Sequence, residues 1–241
     1  MFVGPCGNAE VFSVEKALLV PSSAFFKRVS QGGWKESNFG WIRMPEDKAV
    51  VFQRYLNIVY TGLVAVSREP GACLYHKRIL ACMTDSTYIV TESDDYIPVL
   101  DADGFGWQPS QRLIDSIHAE YDDMAEVYVL CEKLEDTKAR KAVMTAMIQA
   151  VHKVRSNGLV WLPPSSAITI LFRGTVVNHP MRRYLADLYA NHAGKDSLGD
   201  SAEAYPAEFL KMVAQSILAR RSPPKDTSDT EALDSYPLEV L

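Results

Sequence analysis

The sequence predicts an α/β fold of the α+β kind: a small sheet near the N-terminus, a helical cluster beside it, and an all-helical C-terminal extension. Three observations predict it. Strand character is confined to short runs, 10–14 ("EVFSV") and 39–44 ("FGWIRM"), with a strand end at 2–4 ("FVG"). From residue 46 onward, apolar residues recur at three- and four-residue spacing between capping signals. The 241 residues are 47% hydrophobic and 23% charged, which is ordinary globular composition and supports a core without a disulfide or metal staple.

The elements follow in order. Residues 15–29 place Leu18, Leu19, Phe25, Phe26 and Val29 at helical spacing, but Pro21 has no N–H to give and Ser22 and Ser23 are good caps. Two short helices are therefore expected, the second ending at Gly32-Gly33. Residues 46–62 form an amphipathic helix with Val51, Phe52, Tyr55, Leu56 and Val59 on its apolar stripe and Gly62 as its stop. A helix near 110–119 is expected, then one over 123–134 with Asp123 as cap and Glu126 three residues on. Asp136 caps the next, with the stripe Ala139, Ala142, Val143, Ala146, Met147, Ala150 and Val151, closed by Asn157-Gly158. Helices near 165–173, over 180–192 and over 206–221 complete the chain, with Pro180 and Pro206 suited to first turns. Residues 63–122 fit no compact pattern and are expected to be an insertion, partly stranded around 87–100. The acidic, Pro/Ser/Thr-rich stretch 222–241 is expected to be a disordered tail.

Charge is unevenly spread. Net charge is −5, yet residues 85–126 hold eleven acids against Arg112 alone, and 225–241 hold five acids against Lys225. The rest is mildly basic, but pairs such as Arg182-Arg183 and Arg220-Arg221 are too sparse for a nucleic-acid stripe, so no nucleic acid is expected as a partner. No apolar run reaches the ~18 residues a membrane helix needs, so no membrane is expected either. Four separated cysteines and no export signal at "MFVGPCGNAE" place the chain in the cytosol or nucleus with reduced thiols.

Chemistry-bearing motifs are weak. Ser22 and Ser23 lack the flanking glycines of a nucleophile elbow, and capping explains both. Cys73, His76 and Cys82 supply three ligands where structural zinc takes four. Glu92, Asp94, Asp95, Asp101 and Asp103 lack the closing Glu of a calcium loop, and a solvated acidic loop accounts for them. The "GG" and "GFG" turns lack the Lys-Ser/Thr of a phosphate loop. Arg182 and Arg183 are expected to face solvent or a carboxylate such as Asp187, with phosphopeptide capture as the functional alternative. No catalytic residue, cofactor or metal is assigned.

In combination, three stretches carry a resemblance. "FSVEKALLVPSSAFFKRVSQGGWKES", "IRMPEDKAVVFQRYLNIVYTG" and "AEVYVLCEKLEDTKARKAVMTAMI" are similar to the strand–helix step, the Phe-to-Tyr-Thr-Gly helix and the paired closing helices of the BTB/POZ domain. "PMRRYLADLYANH" and "YPAEFLKMVAQSI" resemble the helical extension of short BTB proteins common in fungi. The resemblance implies a BTB/POZ fold over 1–153, with a small mixed sheet flanked by a helical cluster and an insertion at 63–122, then the helical extension over 154–221. It implies a non-enzymatic module that binds protein partners or self-associates as a homodimer, and an adaptor role toward a cullin-type ubiquitin ligase. Leu19, Phe25, Trp34, Phe39 and Tyr60 are the candidate partner or dimer interface; Phe26, Phe52, Leu56, Tyr128 and Leu134 are the family-matching core. Glu15 departs from the family's His before Lys16, and the short run before residue 4 argues against a strand-exchanged dimer. The rival classes are a metal-dependent or hydrolytic enzyme using the insertion and a transcription-linked regulator acting through partners.

Overall fold

The computed structural model describes residues 1–31, 41–64, 96–101, 104–109, 111–152, 161–194 and 204–220, with backbone alone for 96–101 and 104–109. Strands β1 (Phe2–Val3), β2 (Glu10–Val11) and β3 (Arg43–Met44) make a three-stranded sheet in the order β2-β1-β3. β1 is antiparallel to β2 and parallel to β3, so the sheet is mixed. Register assigns the faces. Val3 and Met44 are paired and buried, while Phe2 lies opposite Val11 and Arg43 on the outer face. Strands β4 (Tyr96–Asp101) and β5 (Gly104–Pro109) form a separate antiparallel hairpin within the stretch expected to be an insertion.

Helices α1 (Lys16–Ser22) and α2 (Ala24–Gln31) are split by Ser23, which is extended at φ −123°, ψ 124°. Pro21 lies in the last turn of α1, where the helix is already ending. Ser22 Oγ donates to Leu18 O (2.9 Å). Ser23 Oγ accepts from Phe26 N–H (3.2 Å), the N-cap bond of α2, and donates to Leu134 O (2.5 Å). The N–H groups of Ala24 and Phe25 also donate to Glu135 O and Leu134 O, at 3.4 Å each. The free donors at the start of α2 thus meet the free carbonyls at the end of a later helix. Ser23→Ala removes the cap and leaves a buried carbonyl short of a donor. It is expected to cost about 1–3 kcal/mol in chemical denaturation.

α3 (Ala49–Thr61) buries Val51, Phe52, Tyr55, Leu56 and Ile58 and ends at Gly62, whose φ of 72° only glycine adopts without strain. It starts three residues later than expected from sequence. Asp47 sits in the preceding turn and pairs with Lys133 (2.8 Å). α4 (Gln111–Lys133) is one 23-residue helix where two were expected. Leu113, Ile117, Tyr121, Met124, Tyr128 and Cys131 keep three- and four-residue spacing straight through Asp122-Asp123, with no Gly or Pro to break it. Asp123 is therefore no cap. It pairs with Arg54 of α3 (2.5 Å), and Asp122 accepts from Ser166 Oγ (2.7 Å).

α4 turns into α5 (Thr137–His152) through Glu135 at φ 52°, with Asp136 N–H bonded to Cys131 O (3.0 Å) and Glu135 N–H to Glu132 O (3.0 Å). Asp136 then caps α5, as its Oδ1 accepts from Ala139 N–H (2.9 Å). The Asn157-Gly158 stop lies outside the described residues. α6 (Ser165–Gly174) packs along α4, and Gly174 permits the approach, because a Cβ there would press into the Val129 side chain, 2.9 Å from its Cβ. α7 (Pro180–His192) and α8 (Ala207–Arg220) pack on each other. One hydrophobic cluster runs from Val3 in the sheet to Val213 in α8, so the C-terminal helices share the core of the N-terminal part. Among the described residues no helix is long and apolar enough to cross a membrane.

Candidate functional site

The N-terminal face presents an apolar groove of about 300 Å³ between β2, α1 and α2. Met1, Phe12, Val14, Val20 and Ile42 line its walls. Leu19 and Phe26 reach it from the core and are nearly fully buried. Beside it, Val11 is 69% exposed on β2, an edge strand of this sheet. Phe2, on the same face, meets Trp41 edge-on (6.2 Å), and the Arg43 guanidinium lies 4.8 Å over the Trp41 ring. The groove is rigidly floored. Phe12 packs edge-on against Phe52 (5.2 Å), which in turn lies 5.9 Å from Tyr55.

The candidate interface residues do not converge. Leu19 is a core residue at the groove floor, because its helical spacing points it inward with Phe26 rather than outward. Phe25 is half-buried and packs edge-on against Phe26 (5.1 Å). Tyr60 is 51% exposed at the far end of α3, away from the groove. Trp34 and Phe39 lie outside the described residues, as do Cys73, His76, Cys82, Glu92, Asp94, Asp95 and Asp103. Phe26, Phe52, Leu56, Tyr128 and Leu134 are all buried. Sequence reasoning missed Val11, Val14 and Val20. The available signal was Val11, an apolar side chain on the outward phase of a short edge strand.

Polar groups behind this face are locked in place. Asp136 is buried and holds Tyr55 Oη through Oδ2 (2.9 Å); burial and that carboxylate push the Tyr55 phenol well above its ordinary range. Burial likewise raises the Cys131 thiol, which makes it an inert packing group. Tyr128 is pushed up to about 12, chiefly by burial and then by Glu132. Glu132 joins Arg140 (2.9 Å) to His179 Nε2 (2.8 Å), while His179 Nδ1 accepts from Met181 N–H (3.2 Å) and caps α7. That pair of bonds places the imidazole proton on Nε2. Among the described residues no three His, Cys, Asp or Glu side chains converge as a metal set.

Arg182 departs from its expected surface role. It is buried and stitches three helices together: Nε donates to Thr175 Oγ1 (3.0 Å), Nη1 to Glu208 Oε2 (2.6 Å), and Nη2 to the carbonyls of Phe172 and Thr175. Asp187, its expected partner, instead accepts from Ser216 (2.6 Å) and pairs with Arg220 (3.3 Å).

A small mixed sheet backed by helices, with an edge strand beside an apolar groove, is the architecture of a protein-binding module. Residues 5–91, a little over a third of the chain, match the BTB/POZ domain family. The match crosses Gly62 into the stretch read as an insertion and stops before α4 and α5. No curated protein and no solved structure matches the chain.

Proposed function

We propose that this chain is a non-enzymatic interaction module that self-associates, or binds a protein partner, through the β2 edge and the groove beside it. The observation that carries this is the exposed Val11 on an edge strand flanking a groove of ligand-sized volume. An edge strand offers backbone donors and acceptors, and the groove accepts apolar side chains from whatever pairs there. Sedimentation of the wild-type chain is expected to show a dimer at micromolar concentration. Val11→Asp, placed on a solvated side chain, should weaken it about tenfold, or ~1.4 kcal/mol, without lowering the unfolding midpoint. A wild-type monomer at ~100 µM, which limits any association to less than about 5.5 kcal/mol, would remove self-association.

The finer reading is an adaptor of a cullin-type ubiquitin ligase. It is supported by Tyr60 in the last turn of α3 and Leu63 just beyond its Gly62 cap, both exposed at the end of the helix that the family resemblance turns toward a cullin. Pull-down at micromolar protein is the test, and failure to retain any cullin withdraws it.

A further inference from the structure

The turn between α6 and α7 displays Val176 and Val177, which are 72% and 65% exposed. It is held firmly. Arg182 donates to Thr175 O, His179 N–H donates to Val176 O (3.2 Å), His179 caps α7, and Asn178 sits at φ 68°. Apolar side chains presented in a fixed position to water suit docking, since little entropy remains to be lost there. Three cations lie on the helices that flank this turn or pack beside it. Arg173 lies in the last turn of α6, Arg183 in the first turns of α7, and Lys211 three residues along α8 from Glu208, which holds Arg182. All three are exposed, and among the described residues their side chains have no ion-pair partner.

Charge complementarity and reach point to one occupant. Glu208 touches Arg182 near the start of α7, and Arg220 touches Asn191 near its end, so α7 and α8 run parallel. The chain leaves α8 about 21 Å from the valine turn, a distance that ~7 extended residues recross. From position 227 onward the sequence carries Asp229, Glu231, Asp234 and Glu239 with no Lys or Arg, interleaved with Leu233, Tyr236, Leu238 and Val240. We propose that segment 227–241 docks on the surface formed by Val176, Val177, Arg173, Arg183 and Lys211. Its carboxylates meet the cations, and its leucine or valine side chains cover the valine pair. This surface is separate from the groove on the N-terminal face.

The test uses the full chain with Val177→p-benzoylphenylalanine, irradiated and mapped by mass spectrometry. Intramolecular adducts to residues 227–241 are expected. Their yield should fall about tenfold at 1 M salt, where the Debye length is ~3 Å, and comparably in the Arg173→Glu, Arg183→Glu double variant at low salt. Val11→Asp should leave the yield unchanged, which separates this surface from the groove. Adducts between two copies, adducts confined to other parts of the chain, absence of adducts, or a yield insensitive to both salt and charge reversal would each overturn the proposal. All replaced side chains are solvated, and an unchanged far-ultraviolet dichroism spectrum verifies the fold of each variant.

Discussion

Phe52→Ala is expected to lower the unfolding free energy by about 3–5 kcal/mol, read as a fall in denaturant midpoint at unchanged slope. Phe52 is fully buried in the middle of α3, with Phe12 edge-on at 5.2 Å and Tyr55 at 5.9 Å. Truncation removes the transfer energy of a whole ring and opens a cavity where the sheet, α1 and α3 meet. Collapse into that cavity is resisted from two sides. Tyr55 is tied to Asp136, and Asp136 is fixed as the cap of α5. The cost should therefore sit in the upper part of the range for such truncations. A second readout distinguishes this site from a generic core position. Phe12 lines the groove and rests on Phe52, so the variant should also weaken whatever binds at the groove, at denaturant-free conditions where it remains folded. A loss below ~1 kcal/mol would mean that Phe52 is not the keystone of this layer.

Much of the fold was legible because it rests on local rules. The α1–α2 break follows from Pro21 and Ser23, the end of α3 from Gly62, the start of α5 from Asp136, and the start of α7 from Pro180. Each is a backbone constraint that a single residue announces. The α4 helix shows where local rules mislead. Asp123 is a good cap in isolation, but a carboxylate on a continuing helix is equally satisfied by Arg54 on a neighbour, and nothing in residues 111–133 breaks the backbone. Tertiary pairing overrode propensity there.

The interaction face was less legible, for a different reason. A groove is a relation between elements far apart in sequence, and Ile42 and Met1 meet Val14 and Val20 only through the pairing of β1 with β2 and β3. Leu19 looked like an interface residue because it lies on the right helix, yet its phase on that helix turns it inward beside Phe26. Val11 belonged to the run read as a strand at 10–14, and its exposure shows only once β2 is placed at the edge of the sheet.

Arg182→Ala is expected to cost about 3–5 kcal/mol, as much as removing a large core side chain. Arg182 is 4% exposed, and its guanidinium lies 4.7 Å over the Phe172 ring. Its planar fork satisfies the carbonyls of Phe172 and Thr175 as α6 ends, where no further helical N–H follows to serve them. Alanine would leave those carbonyls without the guanidinium donor, take one donor from Thr175 Oγ1, which keeps its own bond to Leu171 O, and release the start of α8 at Glu208. Arg182→Lys should recover little, because one ammonium cannot reach Thr175 Oγ1, two carbonyls and Glu208 together. Glu208→Gln separates the contributions. Its carboxylate is 42% exposed, and glutamine still accepts from Nη1, so a loss of about 1 kcal/mol or less is expected. If Glu208→Gln instead matched Arg182→Ala, the ion pair rather than the capped carbonyls would hold the three helices together. Hydrogen exchange gives the spatial test: Arg182→Ala should deprotect α6, α7 and the start of α8 before α3, because this side chain bridges all three of those helices, whereas Phe52→Ala should deprotect in the opposite order.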